Sequence, residues 1–275
     1  MTIRNIKKTF KGINTTDGAG VNLTRIIGSS QLEMLDPFLL LDEFGSDNPN
    51  DYIAGFPSHP HRGFETITYM LNGKFRHRDS NGNEGILTDG SVQWMTAGRG
   101  VIHSEMPEQT EGLIRGFQLW LNLPKALKMI QPTYRDIPQS KIPRVDFPGG
   151  TIKIIAGKYN NYEGPGRPHT KMFYHDINLE KYANFNLPLT DGWNVFIYVY
   201  EGNIIINKKV SKHSLAILEE YGDLDLTTEK DGAKFIIAGG EPINEPVVRG
   251  GPFVMNTKTE VMQAFSDYQN GELVK

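Results

Sequence analysis

His59-Pro60-His61 and His103-Ser104-Glu105 are two pairs of metal-competent side chains, each spaced i, i+2. On an extended strand that spacing puts both side chains on one face, roughly 6.5–7 Å apart at Cα, so that two imidazoles can meet one ion at ~2.1 Å. A single pair carries little weight, because seven histidines scattered along 275 residues give an HxH roughly 0.15 times per chain by chance. Two such pairs on facing strands make a four-ligand site. Three histidines and one carboxylate, with no sulfur, suit Fe(II), Mn(II), Ni(II) or Cu(II), and an octahedral ion so held keeps two positions for substrate or dioxygen.

Composition narrows the alternatives. There is no cysteine, which removes catalytic thiols, CxxC redox pairs, zinc knuckles and iron–sulfur ligation. Any metal must therefore be held by histidine and carboxylate. Twenty-nine basic against 32 acidic residues, a net charge of −3, give no field suited to a phosphate backbone, so no direct nucleic-acid partner is expected. The charged N-terminal segment is not followed by the apolar stretch of a secretory signal, and no window approaches the roughly 20 apolar residues of a membrane helix. The expectation is a soluble, cytoplasmic protein with no membrane partner.

The elements that must position these residues read as strands. Glycine at 29 and proline at 16 punctuate short apolar runs throughout the chain. Ile67, Tyr69 and Leu71 alternate toward Asn72-Gly73, which predicts a hairpin into 74–79. Val92, Trp94 and Met95 mark another strand. From Leu113 to Leu123 the odd positions are apolar apart from Arg115, an alternation that buries one face. Trp193 to Asn207 repeats the style of 67–79, with Tyr198 over Tyr69 and Gly202 over Gly73, which points to two copies of one β unit. The proline-rich stretch from Pro132 to Pro148 predicts a linker, with domains 1–135 and 136–275. Thr257 with Glu260 forms a capping box, and Val261, Met262, Phe265 and Tyr268 an apolar stripe, for one C-terminal helix that Gly271 can end. A shorter helix is expected at 125–131. Phe64, Trp94, Met95, Phe117 and Trp120 are candidates to line a dry pocket, although alternation allows only one of residues 117 and 120 to face it. The basic run from Lys74 to Arg78, His77 included, reads as a solvated strand.

The segment Gly55-Phe-Pro-Ser-His59-Pro-His61-Arg-Gly-Phe-Glu65, with Thr96-Ala-Gly-Arg-Gly-Val-Ile-His103-Ser-Glu105-Met-Pro107, resembles the pirin branch of the cupin superfamily. Pro37 to Phe44, Gly239 to Pro246 and Gly250 to Thr257 extend that resemblance over nearly the whole chain. It implies an all-β bicupin: two tandem jelly-roll (double-stranded β-helix) barrels with a short C-terminal helix. It also implies that Glu105, rather than the Glu65 of the general cupin pattern, completes the ligand set His59, His61, His103, Glu105. The general second motif PxGxxH is not met, since Thr96 stands for the proline and four residues separate Gly98 from His103. That spacing is the pirin form. Carried across the repeat, the positions of His59, His61 and Glu65 fall on Pro188, Thr190 and Asn194, so the second barrel is expected to bind no metal.

From the resemblance follow two function classes. One is a dioxygenase, with Fe(II) as the expected metal and Mn, Ni, Cu or Zn as alternatives, acting with dioxygen on a small aromatic, flavonol-like substrate such as quercetin; Glu105 would then be catalytic, accepting the substrate's proton. The other is a metal-loaded regulator that binds a protein partner, as pirins described as transcription cofactors do. No run of five to eight basic residues supports a nuclear address.

Overall fold

The computed structural model describes residues 2–275. The chain divides into two compact units, each assembled from more than one stretch. One comprises Asn14–Gly28, Phe38–Gln139 and Ile243–Lys275; the other takes the N-terminal residues through Ile13, with Ser29–Pro37 and Ser140–Pro242. The break between Gln139 and Ser140 lies close to residue 135, but the two chain ends do not follow a division into consecutive halves. Strand β1 (Ile6–Lys11) pairs antiparallel with Ser214–Leu218, and the helix Lys258–Gln269 belongs with the first barrel.

The first barrel is built from two sheets. Seven strands form one: β2 (Ile13–Asp17), β3 (Val21–Ile27), β4 (Phe38–Ser46), β6 (Phe64–Asn72), β9 (Val92–Thr96), β11 (Ile114–Asn122) and β12 (Thr133–Ile137), in the order β12-β9-β6-β11-β4-β3-β2. The other has four: β5 (Phe56–His61), β7 (Phe75–Asp79), β8 (Glu84–Leu87) and β10 (Val101–Pro107), in the order β5-β10-β7-β8. Closing strands into two packed sheets is the jelly-roll way of hiding their edges.

Gly73 shows why the hairpin expectation fails. β6 and β7 do not pair; they lie in different sheets. Gly73 takes φ of +92°, where side chains are disfavoured, and a Cβ there would come within 2.8 Å of Ile114. The Asn-Gly turn thus bends the chain from one sheet to the other instead of reversing it within one, a corner device of packed sheets. The corresponding 193–207 segment is one long strand, Asn194–Ile205, whose register slips around Gly202. Tyr69 and Tyr198 are both fully buried.

Along β11 the predicted alternation holds, but both faces are buried. Phe117, Leu119 and Leu121 occupy one, with Arg115 ion-paired to Glu43 at 2.8 Å. The other face presents Gln118 and Trp120. In register across the sheet, Arg25, Asp42, Gln118, Thr68 and Gln93 are successive cross-strand neighbours, a polar row through the first barrel. The second unit has an aliphatic core instead, with Ile152, Ile154, Ile177, Val195, Ile197, Phe235 and Ile237 all closed to solvent.

The C-terminal helix is capped as expected: Thr257 Oγ1 accepts from the Glu260 amide, while the Glu260 carboxylate accepts from the Thr257 amide. Met262 departs from the stripe, being 67% exposed, and the buried face consists of Val261 and Ala264 with Phe265 against Phe253. The shorter helix reduces to the 3-10 turn Lys125–Leu127. No helix among the described residues is long and apolar enough to cross a membrane.

Candidate metal centre

β5 and β10 are antiparallel neighbours, and His103 stands directly opposite His59. Because His59 and His61 share a face, this register brings all three imidazoles together. Ring centroids lie 4.4 Å apart for His59 and His103, 4.7 Å for His59 and His61, and 4.9 Å for His61 and His103. His61 and His103 are buried, His59 half-buried. One ligand atom from each falls within 4.8 Å of the others, so the three form a group able to hold a metal ion.

Hydrogen bonding sets which nitrogens are available. His59 Nδ1 lies 2.7 Å from the Pro57 carbonyl oxygen and His61 Nδ1 3.2 Å from that of Pro252. A carbonyl only accepts, so both Nδ1 atoms carry a hydrogen, and in the neutral ring Nε2 is then the lone pair. His103 Nε2 is buried with no hydrogen-bond partner among the described residues. Burial pushes the His61 and His103 imidazoles well below the usual histidine range, and the neighbouring histidines add to the shift. Neutral imidazoles with a free ring-nitrogen lone pair are what metal ligation requires.

A cavity of about 540 Å³ opens beside them. His59, His61 and Gln118 line it together with Leu40, Phe44 and Trp120, and Asp42 and Arg249 bring charge to its wall. Trp120 packs edge-on against His61 at 5.1 Å, and the Arg249 guanidinium sits 4.8 Å over the Trp120 ring. Asp42 is held by Arg25 at 2.8 Å, yet burial raises its carboxyl to about 6.

Residues 20–121 match the Pirin family model, and residues 174–274 match the Pirin C-terminal cupin domain. The chain belongs to the pirin family. It is 47% identical to the Pseudomonas aeruginosa protein named "Putative quercetin 2,3-dioxygenase PA3240", over 98% of both chains. It is 44% identical to a pirin-like protein of Caulobacter vibrioides, over 98% of this chain and 99% of that one. Its fold superposes on the crystal structure of a quercetin 2,3-dioxygenase from Acinetobacter baumannii with a TM-score of 0.93 at 32% identity, over 100% of both chains. The pirin fold is thereby the all-β bicupin anticipated from the sequence.

Within this pirin fold the two candidate acids occupy different surroundings. Glu105 is buried on β10, where its Oε1 accepts from Thr68 Oγ1 at 2.9 Å and its Oε2 from Gln118 Nε2 at 2.9 Å. Its oxygens fall outside the three-histidine group. Glu65 is fully buried on β6, and its Oε1 accepts from Thr96 Oγ1 at 2.8 Å and Trp94 Nε1 at 3.3 Å. Trp94 is thus tied to Glu65, and Met95 packs with Ala97 and Val101. Of the remaining pocket candidates, Trp120 lines the cavity, Phe64 backs His61 and Trp120, and Phe117 stacks on Tyr69 across the other face. Arg62 bridges to Asp267 of the C-terminal helix at 2.6 Å, and Arg99 donates to the Lys275 carbonyl at 2.7 Å. In the second unit, Asn194 donates to the Asp36 carbonyl at 2.6 Å and the Thr190 carbonyl accepts from Arg4 at 2.5 Å.

Sequence reasoning missed His77, Gln118 and Thr68. His77 is fully buried, against the solvated strand expected for 74–78. The signal was present in β7, where Phe75 and His77 sit two apart and so share the inward face.

Proposed function

We propose that this chain is a mononuclear metal-dependent dioxygenase acting on a flavonol such as quercetin, with His59, His61, His103 and Glu105 as the ligand set and Fe(II) as the metal. The observation that carries this reading is the grouping of three imidazoles whose ligand atoms lie within 4.8 Å of one another, with His59 and His61 at the wall of the 540 Å³ cavity and His103 Nε2 buried without a hydrogen-bond partner among the described residues. Such donors fit a divalent first-row cation. The cavity volume is in the range of roughly 300–1,000 Å³ common to small-molecule sites. The relatives named as quercetin 2,3-dioxygenases support the substrate class.

A metal bound there supplies Lewis acidity and open positions for substrate and dioxygen. The chain supplies the rest. Leu40, Phe44 and Trp120 give the planar substrate an apolar wall and exclude water from it. The Glu105 carboxylate, once turned to the metal, accepts the proton of the substrate hydroxyl, and Thr68 and Gln118 are the donors that hold it in the meantime. Asp42 and Arg249 offer polar contacts to the ring hydroxyls that remain outside the reacting centre.

The test is oxygen uptake with quercetin by protein stripped and reloaded separately with Fe(II), Mn(II), Ni(II) and Cu(II), beside His59→Ala. Uptake by at least one loaded form, absent from the variant, is expected. Uptake no greater than the variant's for every metal would sink the reading.

A further inference from the structure

We propose that His77 and Asp79 are positioning residues of the metal centre, acting through His103. The inference rests on the reading of the three histidines as a metal site and adds what stands behind one of them.

β7 runs beside β10, with Asp79 opposite His103 and His77 opposite Glu105. Both acting side chains are closed to solvent, His77 at 0% and Asp79 at 1% exposure. His77 Nε2 lies 3.4 Å from Asp79 Oδ2, and His77 Nδ1 lies 3.4 Å from His103 Nδ1. These two contacts determine every hydrogen. A carboxylate only accepts, so His77 Nε2 carries a proton, and in the neutral ring Nδ1 is then the lone pair. That lone pair needs a donor, so His103 Nδ1 carries its proton and His103 Nε2, which has no hydrogen-bond partner among the described residues, is left bare. The neutral tautomer that can ligate a metal is thus dictated from Asp79 inward.

The support differs in kind from that of the other two histidines. His59 and His61 each lean on a neutral backbone carbonyl, whereas the chain behind His103 ends on a carboxylate. Outer partners of this type hold a ligating ring in one orientation and tautomer and are worth roughly 10–100-fold in metal affinity. His77 is itself held in place. Tyr134 stacks on it with centroids 4.3 Å apart and planes 20° from parallel, and its cross-strand neighbour is Gly85, where a Cβ would stand 2.5 Å from the Tyr134 hydroxyl.

The plainer account makes Asp79 a turn acid, because its Oδ1 also accepts from the amides of Asn81 and Asn83 at 2.9 and 3.1 Å. That account predicts effects on stability alone. Co(II) titration of the metal-free full chain separates the two, read by affinity and by the visible ligand-field spectrum, with ¹⁵N histidine NMR of the metal-free protein reporting the His103 tautomer. His77→Phe keeps the ring stacked on Tyr134 and removes both nitrogens. It is expected to lower Co(II) affinity by about 10–100-fold, change the spectrum and leave His103 a mixture of tautomers. His77→Gln, whose amide oxygen accepts from His103 Nδ1, should recover much of that loss. Asp79→Asn should shift the spectrum in the direction of His77→Phe by a smaller amount. Folded His77→Phe with wild-type affinity and spectrum overturns the proposal, as does Asp79→Asn that melts earlier yet shows an unchanged spectrum. Should His77→Phe fail to fold, His77→Gln and Asp79→Asn carry the same spectral comparison. A wild type that binds Co(II) no better than His59→Ala overturns the metal reading itself, and the positioning role with it.

Discussion

The Nε2 atoms of His59 and His61 face each other at 3.0 Å. Their Nδ1 hydrogens are committed to the carbonyls of Pro57 and Pro252, so when both rings are neutral the contact opposes two lone pairs. A cation between them removes that repulsion. Divalent metal is therefore expected to stabilise the fold, by about 2.7 kcal/mol at a free concentration one hundred times Kd. Thermal melts with and without Ni(II), and again after EDTA, check this. His61→Ala should melt at one temperature under all three conditions.

The two buried glutamates should separate cleanly. Glu105 is held by two neutral donors that can release it, Thr68 and Gln118, whereas Glu65 is bound to Trp94 and Thr96 on the adjacent strand. Glu105→Gln is expected to reduce metal affinity tenfold or more, with a small change in melting temperature, since outer and inner ligand losses are of that order. Glu65→Ala should do the reverse, costing about 2–4 kcal/mol of stability through the orphaned Thr96 hydroxyl and Trp94 indole. Calorimetric titration beside thermal melts distinguishes them.

What could be read beforehand followed from period-two alternation. The HxH pair and His103 were legible because each lies on a strand whose side-chain direction is set by parity. The polar row Arg25, Asp42, Gln118, Thr68 and Gln93 was not. On β11 both parities are buried, one aliphatic and one facing the cavity, so alternation identifies an apolar face without saying that the polar one lines a pocket. His77 was hidden for a related reason: Arg76 and Arg78 make its segment look solvated, although those arginines occupy the opposite parity and pair with Glu84 and Glu108. The Asn72-Gly73 corner misled because a positive-φ glycine serves a sheet-to-sheet bend as well as a hairpin. The placement of the two chain ends depends on long-range pairing that no local pattern carries, such as β1 with Ser214–Leu218.

Lys128 is buried with three donors matched to three acceptors: the Gly63 carbonyl at 2.8 Å, Asn122 Oδ1 at 2.7 Å and the Val254 carbonyl at 3.0 Å. The first acceptor lies two residues after His61, so this ammonium braces the end of β5 against the C-terminal segment. Lys128→Met removes a buried charge but orphans three oxygens, and a net loss of about 2–4 kcal/mol is expected. Burial lowers the ammonium to about 8 from 10.5. Between those values the unfolded chain binds more protons than the folded one, so wild-type stability should rise with pH there. Urea midpoints at pH 7.5 and 10 should show the gain in the wild type and none from this position in Lys128→Met.

His175 gives the second unit an acid sensitivity of its own. It is buried beside Phe173, with ring centroids 5.1 Å apart, and its Nδ1 has no hydrogen-bond partner among the described residues. Burial lowers the imidazole to about 4 from 6.5, against a smaller opposing effect of hydrogen bonds to the Tyr174 and Lys158 backbone. The folded state therefore holds this ring neutral while the unfolded chain protonates it, and the contribution is fully present above pH 6.5 and lost as the pH falls toward 4. At about 1.4 kcal/mol per pH unit the whole interval is worth about 3 kcal/mol. His175→Phe keeps an aromatic ring on Phe173 and cannot titrate. The wild type should lose more stability than this variant between pH 7.5 and 4.5 in urea titrations, with the divergence beginning near 6.5. Parallel profiles would mean that the ring is protonated in the folded protein as readily as in the unfolded one.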